Sequence, residues 1–339
     1  MAGTGHAGAG RCHRRCRPSP GPAGVGTDDE TARATAPGGA ALMRLLPGSQ
    51  RGIALIVVLW VLVLLTIVVG VYAVLARTES LQARFLFDTT AARYAAEAGV
   101  HRAVFELRNP DIETRWVADG RAYPVAFGDA ELEIRIADES GRVDLNQAEE
   151  DLLAELFISR GVEEMEALHL AAAIADWRDP DDLPRLYGAE VDDYFAAGYP
   201  YGPANEPFRS VDELQQVIGM TWELYTEVED LLTVHGRGNQ VNPAFAPAGV
   251  LALLPDMDRE LAEMFVAERE QHHPADLEAL MMPNGQMVSL RGRGQAYRIR
   301  SRATLDNGVS TTLEAIVTLG TDTRGRPFRV LRWREQVED

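Results

Sequence analysis

The chain has 339 residues and 46% hydrophobic composition, enough for a membrane span plus two or three folded units. Its 33 basic residues, all of them arginine, face 51 acids for a net charge of −18. A surface this acidic repels phosphate backbones and favours cations or basic partners, which argues against general nucleic-acid binding.

Residues 1–42 are rich in Gly, Ala and Pro with scattered Arg and no hydrophobic period, so they form no core and read as a disordered or mis-assigned extension. Cys12-His13-Arg14-Arg15-Cys16 lacks the partner motif of a zinc site. Starting at Met43 instead gives a ten-residue leader, 43–52, that carries Arg44 and Arg51 and ends on Gly52. Without the extension the chain contains no cysteine, so its compartment cannot be read from redox chemistry.

From Ile53 to Leu75 there are 23 residues without a charge. As a helix they measure roughly 34 Å, enough to cross a hydrocarbon core of about 30 Å. The span is taken as 53–76, with Arg77, Glu79 and Arg84 behind it. A secretory signal peptide places its small-residue cleavage site after the apolar run. Here Gly52 stands before it, an order that resembles type IV prepilin-like precursors, in which a peptidase cuts after the glycine and leaves the apolar segment on the mature protein. The mature chain then begins at Ile53 and carries 26 Arg against 48 acids, a net charge of −22. An ordinary signal anchor is the alternative.

The helical period continues past the span through Leu81, Phe85, Ala92, Ala95, Ala96, Gly99, Ala103 and Leu107 to Asn109-Pro110. One helix from Ile53 to about Arg108 is expected, roughly 84 Å long. Alternation at 121–127 and 131–137 predicts strands. Helical patterns follow at 149–160, 163–177, 211–218, 222–233, 247–254, 258–271 and 275–281. Strands return at 296–305, 310–319 and 328–333, with Asp306-Asn307-Gly308 as a hairpin turn. This order predicts an α+β fold: a pilin-like helix and first strands over 77–137, an all-helical insertion over 138–284, and closing strands with a tail over 285–339, both sets of strands sharing one sheet. Charge separates the same way. Residues 138–193 hold 17 acids and 4 Arg, whereas 291–334 hold 10 Arg and 3 acids.

Asp176 to Asp193 is the best chemical site. Hard cations such as calcium take six to eight oxygen ligands, and Asp179-Pro180-Asp181-Asp182 with Glu190-Val191-Asp192-Asp193 can supply carboxylates on a turn-rich loop. The spacing does not match the helix-loop-helix calcium motif, and a solvated acidic face is the plainer alternative. No hydrolase set emerges, so no enzyme is expected. His272-His273 sits before Pro274 rather than in a metal-spaced pair, and Gly292-Arg293-Gly294 leads into a strand, unlike a phosphate loop. Ser210–Thr233 and Val241–Gln271 look like two helix-hairpin-helix units, of the helix-hairpin-helix or SAM-like kind, which often hold DNA phosphates. The second hairpin, Pro255-Asp256-Met257-Asp258, has two acids and no glycine, so both read as packing modules and no nucleic acid is expected. A membrane-tethered DNA-uptake protein is the rival.

Several stretches carry a broader resemblance: Val143-Asp144-Leu145-Asn146, Asp176-Trp177-Arg178-Asp179-Pro180-Asp181-Asp182, Gly188-Ala189-Glu190-Val191-Asp192-Asp193-Tyr194, Tyr201-Gly202-Pro203-Ala204-Asn205-Glu206-Pro207-Phe208, Ser210-Val211-Asp212-Glu213-Leu214 and Ile218-Gly219-Met220-Thr221. In this order, with the Gly52 leader and the span, the chain resembles the minor pseudopilin K family of type II secretion from Met43 to about Val317. It departs at Val241–Pro247, where the family usually has Asn and Thr in place of Ala244 and Phe245.

The resemblance implies a type IV pilin-like fold with a long transmembrane helix packed on a small antiparallel sheet. It implies a single-pass inner-membrane protein with its C-terminal domain in the periplasm, cut by prepilin peptidase and N-methylated at Ile53. Arg44 and Arg51 barely outweigh Arg77, so orientation leans on the family. The implied function is capping and nucleating the pseudopilus tip with minor pseudopilins I and J and other pseudopilus subunits, in support of protein export. At the fifth mature position most pilin-like subunits carry Glu, whose partner is a neighbour's free amine. Val57 there fits a tip subunit with no neighbour ahead, or is one more apolar residue of the span. The family also implies structural Ca2+ in the insertion, here assigned to Asp179, Asp182, Glu190 and Asp193. A tip minor pilin of a type IV pilus is the nearest alternative.

Overall fold

The computed structural model describes residues 51–236, 238–272, 276, 280–285, 287–288, 296–320 and 325–336. The 1–42 extension, the leader up to residue 50, His273, Pro274 and Gly292 to Gly294 lie outside the described residues. Helix α1 (Arg51–Leu107) is continuous over 57 residues. Among the described residues it is the one helix long and apolar enough to cross a membrane, and its most apolar window is wholly uncovered. Among the described residues, Arg51 to Val69 belong to one unit and the chain from Gly70 to another.

In the second unit, β1 (Asp119–Phe127) and β2 (Ala130–Asp138) form a hairpin, followed by the two-residue strand β3 (Val143–Asp144). Helices α2 (Glu150–Ile158), α3 (Glu164–Arg178), α4 (Val191–Ala196) and α5 (Trp222–Val228) come next, then the short strand β4 (Leu232–Thr233). Helices α6 (Ala248–Leu251) and α7 (Arg259–Gln271) precede the closing strands β5 (Tyr297–Leu305), β6 (Ser310–Leu319) and β7 (Phe328–Gln336). The sheet order is β1-β2-β5-β6-β7, antiparallel throughout. Strands before and after the helical block therefore share one sheet, joined where β2 pairs β5 from Ala130↔Leu305 to Asp138↔Tyr297.

Alternation explains the sheet's inner face. Leu132, Ile134 and Ile136 of β2 point inward, and meet Ala95, Ala96, Val100 and Ala103 of α1 in one core. Small residues let the helix approach closely: a methyl group on Gly99 would stand 2.1 Å from Ser301 Oγ. Between β5 and β6 the turn closes as its sequence predicts, with Gly308 at φ +85° and Leu305 N–H donating to Val309 O at 2.9 Å. The apolar stripe of α1 is shorter than its periodicity suggested. Leu81 and Phe85 are exposed, because the sheet begins to cover the helix only near Ala91 and Ala92.

The helical block has its own core around Leu153, Phe157, Leu170, Ile174, Trp177 and Tyr194. Several expected helices are shorter than their patterns. The segment 211–218 is a 3₁₀ turn at Val211–Gln216, and 222–233 ends at Val228 before a 3₁₀ turn and β4. The pattern at 247–254 yields only four helical residues. Of 275–281, residues 275 and 277–279 lie outside the described residues; Asp276 is in a 3₁₀ turn, and Met281 makes an isolated antiparallel bridge to Met287. In such short pieces tertiary contacts, not local period, set the backbone.

The charge asymmetry of the sequence is resolved where this block meets the sheet. Arg298 of β5 is buried and bonds Glu139 Oε1 at 3.0 Å, Leu232 O at 3.2 Å and Asp230 at 3.3 Å. Glu139, also buried, is further paired with Arg142 and accepts from Thr233 Oγ1. Arg300 bridges Asp230 and Glu314, Arg332 holds Asp212, and Arg334 holds Glu229. Burial alone pushes the Glu139 carboxyl up, but Arg298 and Arg142 more than offset it and hold it below the usual range. The arginines of the closing strands are thus the counter-ions of the acidic block.

Candidate functional site

The best-built polar site lies between the end of α3 and the start of α4. Asp176, in the last turn of α3, is fully buried. Asp179 follows as the C-terminal cap, then Asp181 and Asp182 on an exposed loop. The loop returns past Arg185 and Gly188 to Glu190, which stands at the N-terminus of α4. Gly188 is required there, since a Cβ would sit 1.8 Å from Asp176 Oδ2.

Glu190 is the unusual member. It is only 5% exposed, and beyond a capping-box contact with the Asp193 backbone N–H neither carboxylate oxygen has a hydrogen-bond partner. Asp179 Oδ1 and Asn205 Oδ1 are likewise buried without partners, while Asn205 Nδ2 donates to Asp182 Oδ1 at 2.8 Å. Asn205 is held at φ +48°, a left-handed conformation that Asn tolerates better than most side chains. Burial and the surrounding Asp176, Asp179, Asp182 and Asp181 push the Glu190 carboxyl up to about 7. A buried carboxylate among four other acids is costly unless something positive joins them.

The four expected ligands are not equivalent. Glu190 is buried and unpaired, Asp179 is half-buried and bonded to Arg185, and Asp182 is exposed and held by Asn205. Asp193 is exposed and spends Oδ2 on the Glu190 backbone N–H at 3.0 Å, a helix-capping bond. Among the described residues no three His, Cys, Asp or Glu side chains stand ready to hold a metal ion. The donor set still fits a hard cation in kind, because the unpartnered atoms of Asp179, Glu190 and Asn205 are all oxygens. The spacing of carboxylates along the chain opened the expected site at Asp176 without choosing it as a ligand, and did not point to Arg185 or Asn205. Asn205 arrives from 23 residues beyond Asp182.

The two helix-hairpin-helix candidates are built as packing elements. Gly219 turns at φ +85° with Leu170 behind it. In the second unit the Asp258 carboxylate accepts from Leu261 N at 2.8 Å, so the protein's own acid occupies the amide end that a phosphate would need. Gly52 and Ile53 lie in the first turn of α1, and Val57 is 55% exposed on it.

A family model described as type II secretion system (T2SS), protein K, matches residues 133–237, the span that holds the acidic cluster. The type II secretion system protein K of Klebsiella pneumoniae is 30% identical over 243 residues, covering 65% of this chain and 71% of that one. The chain belongs to the type II secretion system protein K family. The protein K of Pseudomonas aeruginosa is also 30% identical, over 65% of this chain and 72% of its own. That of Pectobacterium carotovorum is 29% identical over 68% and 79%. A solved GspK-GspI-GspJ complex from enterotoxigenic Escherichia coli contains a chain that aligns over 76% of this one and 100% of its own, at TM-score 0.49 and 18% identity. As a protein K the chain is a minor pseudopilin of type II secretion, with a candidate transmembrane helix at its N-terminal end.

Proposed function

We propose that this protein K caps and nucleates the tip of the pseudopilus, without catalysing a reaction. The observation that carries the reading is the interruption of the sheet: between β2 and β5 a helical block with its own core is inserted. A subunit of that bulk suits the end of a fibre, where no copy has to pack ahead of it. In this reading Ile53–Leu75 anchors the chain in the inner membrane, the sheet and insertion lie in the periplasm, prepilin peptidase cuts after Gly52, and Ile53 is methylated. Val57 in place of a carboxylate fits a subunit with no neighbouring amine to neutralise. Its partners are minor pseudopilins I and J, met through α1, whose outer face from Phe85 to Phe105 keeps Phe87, Tyr94 and Phe105 exposed.

Calcium belongs to the same proposal. Glu190, Asp179, Asp182 and Asp176, with the Asn205 carbonyl, would hold it, and Asp193 would position Glu190. Bound there, the ion supplies positive charge and oxygen coordination to a loop that otherwise carries unpaired buried oxygens.

Intact-mass analysis of membrane-extracted protein tests the processing: the expected species starts at methylated Ile53. Cysteines placed at Tyr94 or Phe105 should cross-link to subunits I and J in cells. A retained leader together with no cross-link to either subunit would defeat the reading. Calcium is tested apart from this, since calcium chloride should raise the melting temperature of chelator-treated protein, and an unchanged value removes the metal from the proposal.

A further inference from the structure

Arg185 already stands inside the acidic cluster. Its Nη1 donates to Asp176 Oδ1 at 2.8 Å and also to Asp179 Oδ2, and its Nε reaches Glu150 Oε1 at 2.8 Å. Its backbone N–H donates to the second Asp176 oxygen at 3.2 Å. One guanidinium therefore ties down the two acids that end α3. The bonds to Asp179 and Asp176 push its pKa further up, and a guanidinium has no neutral form available at physiological pH in any case.

What Arg185 leaves undone matters as much. It does not reach Glu190, so beyond the capping-box contact with Asp193 both Glu190 oxygens, Asp179 Oδ1 and the Asn205 carbonyl stay buried and unpartnered. A single positive charge neutralises only part of the cluster. A divalent ion serving Glu190 needs further oxygens, and the carboxylates whose charge bears most on Glu190 are Asp176 and Asp179, which Arg185 holds. Two cations sharing the same carboxylates repel each other. Arg185 is 37% exposed in its side chain, so it has a route to water when its partners are taken.

Building on the calcium reading above, we propose that Arg185 and a divalent cation are alternative occupants of the Asp176–Asp179–Glu190 cluster. The cation takes Asp176 and Asp179 from the guanidinium, and the released arginine frees the 181–188 loop that displays Leu183 and Leu186. Those leucines are 75% and 87% exposed. Between Asp182, which accepts from Asn205 Nδ2, and Tyr187, whose carbonyl and ring meet His169, the loop is held to the cluster through Arg185, with Asp181 Oδ1 accepting from Leu183 N and Gly188 N–H donating to Arg185 O. Cation affinity is then set lower than the carboxylates alone would give, and the placement of the exposed leucines depends on calcium.

The test uses the full chain in detergent, stripped with chelator, dialysed and titrated with calcium chloride by calorimetry, as wild type, Arg185→Gln and Arg185→Lys. Arg185→Gln should bind calcium about tenfold more tightly or better, the size of effect that removing one like charge gives. Arg185→Lys, which keeps the charge, should stay closer to wild type. Without calcium Arg185→Gln should melt below wild type, and the gap should close at saturation. If wild type binds and Arg185→Gln binds equally or more weakly, the competition is overturned while the calcium reading stands. If neither binds, both fall. Should Arg185→Gln fail to fold, hydrogen exchange on wild type decides: calcium should speed exchange across 183–188 while slowing 190–194, and uniform slowing would overturn the proposal.

Discussion

The acidic block handles buried charge in two opposite ways. Where it meets the sheet, Glu139 lies between Arg298 and Arg142 and accepts from Thr233, so a fully buried carboxylate has charge and hydrogen bonds. At the start of α4, Glu190 is nearly as buried and has no ion pair and no hydrogen bond beyond its capping-box contact with Asp193. Burying an ion pair contributes little net stability, yet breaking one strands a charge at heavy cost. The junction is therefore a finished structural joint, specific in geometry and complete within the chain. The cluster is complete only when something outside the carboxylate set contributes positive charge, and Arg185 does so for part of it.

The largest effect should come from breaking the finished joint. Arg298→Ala leaves Glu139 with only Arg142 and Thr233, and should lower unfolding stability by about 3–5 kcal/mol in urea denaturation. The double variant Glu139→Leu with Arg298→Met should recover only part of that loss, because Arg142 then loses its Glu139 partner. Next in size, Glu190→Gln should stabilise calcium-free protein at pH 8 by up to about 3 kcal/mol, since it removes the unpaired carboxylate.

Acid should separate the two regions further. Glu139 and Asp230 sit below their ordinary values: burial opposes this, but their arginines dominate. Their contribution is present above the usual carboxylate range and is lost as pH falls through their lowered values. Glu190 sits above its ordinary value, at about 7, so its penalty is full above 7 and disappears as pH falls toward 4.5. The benefit of Glu190→Gln should therefore shrink between pH 8 and pH 5, while the cost of Arg298→Ala persists until pH falls below about 4. Both follow from melting curves across pH.

A smaller loss, about 1–3 kcal/mol, is expected for Gly99→Ala, whose methyl would collide with Ser301 Oγ between α1 and β5. Smallest of all, Arg259→Ala breaks an exposed i,i+4 pair with Glu263 and should cost under about 0.5 kcal/mol, the control for the joint.

Much of the sheet was legible in the sequence because its signals are local. Alternation in Glu131-Leu132-Glu133-Ile134-Arg135-Ile136 marks β2, and Asn307-Gly308 marks a turn, without reference to anything distant. Long periodicity likewise marks α1. What was hidden depends on separation. Glu139 and Arg298 stand 159 positions apart, and only the uneven spread of acids and arginines hinted that they meet. Helix α4 was missed because six residues carry too little period to distinguish a helix from an acidic loop. The acidic cluster was legible as a stretch but not as a set. Burial of Glu190, not its place in a run of acids, separates it from Asp182 and Asp193.

The splitting of the sheet by the helical block has a consequence for how the protein is made. Synthesis delivers the β1–β2 hairpin long before β5, and from Ala130 to Asp138 that hairpin presents a row of unanswered amides and carbonyls until Tyr297–Leu305 arrives. The helical block, rich in near-neighbour contacts such as α2 on α3, is suited to fold during the wait. A newly made molecule therefore passes through a stage with one bare strand, when it is most open to mispairing and to attack by proteases.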